Sequence, residues 1–73
     1  MALRLTRREV EILNLVKRGC TNREIAEDLG ISLQVVKEHL KVISAKLQAR
    51  NRVDAVIKAL QADYIRLDSG DKV

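Results

Sequence analysis

The chain has 73 residues, of which 47% are hydrophobic and 33% charged, and it contains no proline, phenylalanine or tryptophan. This length suits one small domain, and the hydrophobic share is too high for a disordered tail. The single cysteine excludes an intrachain disulfide, and no apolar run approaches the roughly 20 residues that cross a bilayer. We therefore expect one cytoplasmic domain over 1–73, with an aliphatic core over 5–67, a frayed tail over 68–73, and neither cofactor nor metal.

The positive charge is concentrated in one part of the chain. Residues 33–52 carry five Lys or Arg side chains against one Glu, a net charge of +4, whereas 1–32 carry +1 and 53–73 carry −1. A basic stripe of this kind is typical of a protein that binds a polyanion. Charge alone leaves a solvated lysine face open as the alternative.

Helix one is predicted from about Arg7 to Arg18. Thr6 and Glu9 have the spacing of a capping box, in which the hydroxyl accepts from one backbone N–H and the carboxylate from the other. Gly19 supplies the left-handed residue that ends the helix.

Helix two begins with the same pattern, because Thr21 and Glu24 form a second capping box. It is short and ends near Leu29, where Gly30 permits the positive φ of a sharp turn. Cys20 lies where a hydrophobic residue would pack across the cap, so we interpret it as a small hydrophobe rather than a reactive thiol.

Helix three is predicted over Leu33–Gln48, with Ser32 as its N-cap. One side carries an apolar stripe at helical spacing, made of Val36, Leu40, Ile43 and Leu47. The opposite side carries polar side chains at the same spacing, namely Gln34, Lys37, Glu38 and Lys41. A two-faced helix behind a glycine turn indicates a helix-turn-helix unit with a recognition helix.

Helix four begins at the cap Asn51, with Asp54 three residues later. It carries more apolar surface than one small core requires: Val53, Val56, Ile57, Leu60, Tyr64 and Leu67. We expect Ile57, Leu60 and Tyr64 to form a homodimer interface. The alternative is that this surface folds back onto helix one. The fold class is all-α, a bundle of four helices with short connections.

Four blocks of the chain resemble successive blocks of the LuxR-type helix-turn-helix, in the order and spacing of that family. They are LTRREVEILNLVKRG at Leu5–Gly19, TNREIAEDLGIS at Thr21–Ser32, VVKEHLKVISAKL at Val35–Leu47 and NRVDAV at Asn51–Val56. The family includes the NarL/FixJ response regulators and the stand-alone GerE-like regulators. The resemblance implies either a stand-alone regulator or the output domain of a response regulator, bacterial in type.

The resemblance implies sequence-specific binding of double-stranded DNA in transcription regulation, with RNA polymerase as a further candidate partner. In the family the third helix enters the major groove, and the fourth usually makes a homodimer on paired half-sites. Lys37, Glu38 and Lys41 match residues that face base edges, and Gln34 lies at the helix end that probes the groove. Two further groups match segments near the DNA backbone: Thr21, Asn22 and Arg23, and the basic residues Lys46, Arg50 and Arg52.

Two positions depart from the family pattern and put the target sequence in question. Val35 stands where threonine is common, so a hydroxyl contact to phosphate is missing. Glu38 stands where apolar or neutral residues are frequent; it could accept from cytosine N4, repel wrong sites, or pair with Lys37 or Lys41 along the helix. The two lysines could equally contact guanine or adjacent phosphates.

Other functional classes fit less well. Glu9 and Glu24 could suggest a catalytic carboxylate pair, but their capping-box spacing explains both. His39 has no second ligand beside it, so we expect a structural histidine rather than a metal or catalytic site. The remaining rivals are region four of a sigma factor, which the fourth helix disfavours, and a helical protein-interaction module without DNA binding. We expect no enzyme activity and no small-molecule ligand.

Overall fold

A computed structural model describes residues 4–67, which form four α-helices and no strand. The helices are α1 (Arg7–Lys17), α2 (Asn22–Leu29), α3 (Leu33–Leu47) and α4 (Arg52–Gln61). The all-α prediction is confirmed, and the tail over 68–73 lies outside the described residues.

Every helix begins at the cap that the sequence predicts. Thr6 and Thr21 each complete a capping box: their hydroxyls accept from the N–H of Glu9 and Glu24, and those carboxylates accept from the threonine N–H at 2.7 and 2.8 Å. The other two helices have single caps, made by Ser32 and Asn51. These caps satisfy N–H groups that have no partner within the helix.

Every helix is followed, within two residues of its end, by a residue with positive φ. Gly19 and Gly30 have φ of 91° and 68°, whereas Gln48 and Asp63 reach 55° and 63° without being glycine. The next residue then donates its N–H to a carbonyl five positions back: Cys20 to Leu15, Ile31 to Ala26, Ala49 to Ser44, and Tyr64 to Ala59. All four donor residues also pack against the core, and such a hydrophobic contact often accompanies the Schellman motif.

The core is aliphatic and centres on α3, which packs against all three other helices. The largest fully buried side chains of the core are Ile12, Leu13, Ile25, Val36 and Ile43. Each such side chain contributes about 1.5–3 kcal/mol relative to an exposed position. Because Val36 and Ile43 are 0% exposed, the rotation of α3 about its axis is fixed.

The structure corrects the prediction for helix four in two respects. The helix ends at Gln61, so Tyr64 lies beyond it and not on its surface. The side of α4 that faces the core carries Ala55 and Ala59, which are 1% and 0% exposed, and their small side chains allow close packing. Val53 and Ile57 consequently face outward.

One ion pair joins the first helix to the last turn of α3. Lys46 Nζ lies 2.8 Å from Oε1 and 3.1 Å from Oε2 of Glu9, and it also donates to the carbonyl of Arg4 at 3.1 Å. Burial raises the pKa of Glu9, but hydrogen bonds from Lys46 and from the Thr6 N–H outweigh it, so the pKa is lowered. The Glu9 carboxylate therefore stabilises the folded state when it is ionised.

The Lys46→Met variant is expected to lose about 1–3 kcal/mol of unfolding free energy at pH 7, because it leaves the nearly buried Glu9 carboxylate without its cation. The contribution of Glu9 is present above its unfolded pKa of about 4.3 and is lost as pH falls through the lower folded value. The difference between wild type and variant should therefore shrink below about pH 4. Urea unfolding at a series of pH values measures it.

Lys58→Met serves as the matched control, since Lys58 pairs with Asp54 at 3.3 Å in a more exposed setting. It should cost less than Lys46→Met at neutral pH. Equal losses in the two variants, or a difference that persists unchanged in acid, would contradict the assignment.

Two substitutions at positive-φ residues after helices should change the stability of the fold in opposite directions. Gly30→Ala should destabilise the fold by about 1–2 kcal/mol, because alanine disfavours positive φ. The new methyl group would meet no atom within 4 Å, so the cost is conformational. Gln48→Gly should instead stabilise the fold, or leave it unchanged, by relieving the same strain. Thermal unfolding measures both, and destabilisation by Gln48→Gly comparable to Gly30→Ala would refute the explanation.

Candidate nucleic-acid interface

The polar face of α3 lies on the molecular surface, opposite the buried stripe. Gln34, Lys37, Glu38 and Lys41 are all exposed. Within residues 4–67, none of these four side chains makes a hydrogen bond or an ion pair with the protein. The intrahelical pairing that offered an alternative for Glu38 is therefore not formed. The structure presents four uncommitted polar side chains along one helix.

The same face extends one turn further than the sequence analysis proposed. Val42 follows Glu38 by four residues, and Ala45 follows Lys41 by four, so both continue the polar rows at helical spacing. Val42 is 45% exposed, and Ala45 is also exposed. Their apolar character hid them in the sequence, although their spacing from Glu38 and Lys41 was a usable signal.

The start of α2 forms a second part of the candidate site, because α2 packs directly against α3. Thr21 and Arg23 are exposed, and Asn22 is half-buried. The Thr21 hydroxyl already accepts the N–H of Glu24. The first N–H groups of the helix have no acceptor within it and favour an anion together with the helix dipole.

The three predicted basic residues differ in their surroundings. The side chain of Arg50 is 86% exposed, with its Nε 3.8 Å from Asp54. Lys46 is instead engaged by Glu9, and Arg52 donates to Asn22 Oδ1 at 2.8 Å and to the Cys20 carbonyl at 3.1 Å. Arg50 therefore presents its charge to solvent, whereas the other two cations are already used inside the domain.

The predicted dimer surface is divided in a similar way. Ile57 is 46% exposed and lies one turn from Val53, which is 65% exposed. Leu60 and Tyr64 are half-buried and pack against the domain's own core. A groove of about 280 Å³ runs beside the exposed pair and is lined by Val16, Lys17, Arg52, Val53, Val56 and Ile57.

The remaining candidates, Cys20 and His39, are both partly buried. Cys20 is half-buried against the core, and His39 is half-buried on α3. Among the described residues, no group of three or more His, Cys, Asp and Glu side chains could hold a metal ion. No helix over residues 4–67 combines the length and the apolar character needed to cross a membrane.

Known proteins match this fold and sequence. Residues 3–59 match the family model described as bacterial regulatory proteins, luxR family. The chain is 44% identical over 62 residues to the response regulator protein VraR of Staphylococcus aureus (strain NCTC 8325 / PS 47), covering 85% of the chain and 30% of VraR. VraR of Staphylococcus epidermidis matches with the same identity and coverage.

A solved structure also matches, that of the response regulator ChrA of a heme-sensing two-component system. It has a TM-score of 0.85 and 40% sequence identity, and the match covers 89% of this chain and 32% of ChrA. The chain thus spans about a third of the length of these relatives.

Proposed function

The chain belongs to the LuxR family of bacterial regulatory proteins, and we propose that it reads a specific DNA sequence through the exposed face of α3. The observation that carries this proposal is the row of four unpaired polar side chains opposite the fully buried Val36 and Ile43. A helix fits the major groove of B-DNA, where each base pair presents a distinct pattern of donors and acceptors. The family match favours this function over a sigma-factor module or a protein-interaction module.

The chemistry of the α3 face suggests which bases it reads. Lys37 and Lys41 lie one turn apart and carry only donors, which suit guanine O6 and N7. Glu38 lies beside them and carries only acceptors, which suit cytosine N4 and reject a phosphate or a guanine edge. Gln34, in the first turn, can bind the N6 and N7 edge of adenine.

Phosphate contacts come from both sides of α3 in this proposal. Arg50 supplies an exposed charge in the loop after α3. The start of α2 supplies the free N–H groups of Asn22 and Arg23, together with the side chains of Thr21, Asn22 and Arg23. We leave Lys46 out of this set, because Glu9 and the Arg4 carbonyl already engage its ammonium.

We further propose that two copies bind paired half-sites about one helical turn apart, through the outward side of α4. Val53 and Ile57 expose apolar surface that the domain's own core does not use. If two copies met at Val53 and Ile57 around a two-fold axis, the same apolar patch of each subunit would be buried. Leu60 and Tyr64 would support the interface from their half-buried positions.

Lys37→Ala and Lys41→Ala should each reduce discrimination between target and random duplex by about 1–3 kcal/mol, because each removes the hydrogen bonds to one base. Arg50→Ala should weaken all sequences alike and reduce the salt dependence of log K by about 0.9, since one phosphate is no longer neutralised. A target selected from a random duplex pool, followed by titration of both duplexes over a salt series, measures these effects.

All three side chains are exposed, so each variant should keep its unfolding free energy within about 0.5 kcal/mol of wild type. Circular dichroism provides that control. Undiminished discrimination in both lysine variants would overturn the base contacts, and failure of wild type to bind any duplex at low salt would overturn the proposed function.

Ile57→Glu should weaken binding to a paired site far more than binding to a single half-site, because it places a charge at the proposed subunit contact. The fold should persist, since Ile57 is 46% exposed. Val42→Glu is a matched control on a different exposed side chain, and it should impair half-site and paired-site binding alike. Equal weakening on both duplexes for Ile57→Glu would argue against an α4 dimer.

A further inference from the structure

Arg52 connects α2 and α4, two helices whose backbones do not pack on each other within residues 4–67. It is the first residue of α4, it is half-buried, and its Nη1 and Nη2 donate to Asn22 Oδ1 and the Cys20 carbonyl. These two acceptors flank Thr21, the N-cap of α2. One guanidinium therefore ties the start of α4 to the start of α2.

The hydrogen bond to Asn22 fixes which way its amide points. A carboxamide can rotate by half a turn and exchange donor for acceptor with little change in shape. Arginine has donors and no acceptor, so beside Arg52 only the orientation with Oδ1 inward is compatible. The donor end, Nδ2, is then the end directed away from Arg52.

Nδ2 is also accessible to solvent. It makes no hydrogen bond within the described residues, whereas every buried side-chain nitrogen or oxygen among them has a partner. Nδ2 is therefore not buried. At the same helix end, the N–H groups of Asn22 and Arg23 lack acceptors within α2. The Thr21 hydroxyl oxygen is already bonded to the Glu24 N–H. The Glu24 carboxylate at this helix end accepts from the Thr21 N–H. The N–H groups of Asn22 and Arg23 and the Nδ2 group of Asn22 remain as donors, which is the polarity that a phosphate requires.

We propose that Arg52 is a positioning residue for phosphate binding: it holds the Asn22 amide with Nδ2 outward and fixes the start of α2 against α4. This inference rests on the proposed DNA-binding function, and it replaces a direct contact of Arg52 with phosphate. Without Arg52, the amide can turn its oxygen toward the DNA and repel the phosphate. The charge of Arg52 is thereby used to orient a neutral donor.

Substitution by lysine separates the two roles. Lysine keeps the charge and binds phosphate as a point charge, but it lacks the planar fork that reaches both acceptors. If Arg52 positions Asn22, Arg52→Lys should bind random duplex about fivefold more weakly than wild type, the loss of roughly one hydrogen bond. Arg50→Lys, at a direct phosphate contact, should bind close to wild type. Fluorescence anisotropy with the full 73-residue chain measures both.

A double-mutant cycle tests whether Arg52 acts through Asn22. Asn22→Ala should weaken binding by a similar factor, and the Asn22→Ala, Arg52→Lys double variant should bind about as weakly as either single variant. The slope of log K against log salt should match wild type in all three, because no cation has been removed. A purely structural role would lower the melting temperature and leave the affinity of the folded protein unchanged.

Lys58→Ala is the control on the same helix. Lys58 also bridges elements, donating to the Gln48 carbonyl at 2.7 Å and pairing with Asp54, and neither partner belongs to α2. It should leave the affinity for random duplex near wild type, with circular dichroism confirming that every variant is folded at the assay temperature.

Wild-type affinity in Arg52→Lys would overturn the positioning role, and so would losses that add in the double variant. In either case wild type still binds duplex and Arg50→Ala still lowers the salt slope. If wild type binds no duplex at low salt, the proposed function itself fails, and this inference fails with it.

Discussion

The complete burial of Val36 and Ile43 fixes the orientation of α3, and the position of the exposed surface follows from it. The two side chains lie on one side of α3, which packs against α1, α2 and α4, so the helix cannot rotate without exposing them. Helical geometry then directs Gln34, Glu38 and their neighbours to solvent on the opposite side. The core is aliphatic and small, and each fully buried side chain carries a large share of a marginal stability. The surface that we propose for DNA is therefore determined by the packing behind it.

The basic side chains that follow one another in sequence have different roles in the structure. Lys46 and Arg52 come from the same basic segment as Arg50, and charge counting treats all three alike. In the fold, Lys46 neutralises Glu9 and Arg52 holds the start of α2, whereas Arg50 extends into solvent. A cation that satisfies acceptors inside the domain supports the shape of the binding surface. A solvent-exposed cation supplies counterion release, and with it the salt dependence of binding.

Much of the fold was predictable because its signals are local. Thr6 and Thr21 predict the starts of their helices because each has a Glu partner three residues later. Gly30 predicts the turn because glycine readily adopts positive φ. The end of α4 was missed, because the left-handed residue there is Asp63 and not glycine. The sequence pattern also did not identify Ala55 and Ala59 as the residues of α4 that face the core, because alanines and larger apolar side chains lie on different sides of this helix and either side can face a core.

The sequence was enough to predict four helices, their starts, the two faces of α3 and the family to which the chain belongs. The helices, their starts and the two faces of α3 follow from side chains within one or two helical turns of each other. The family follows from the resemblance of four successive blocks of the chain to it. Two features became visible only in the folded structure: α4 packs through Ala55 and Ala59, and Arg52 reaches Asn22, thirty positions away. Those outcomes depend on how closely helices approach and on which acceptor a long side chain meets. Neither the distance between two helices nor the partner of a long side chain can be predicted from the spacing of residues along one helix.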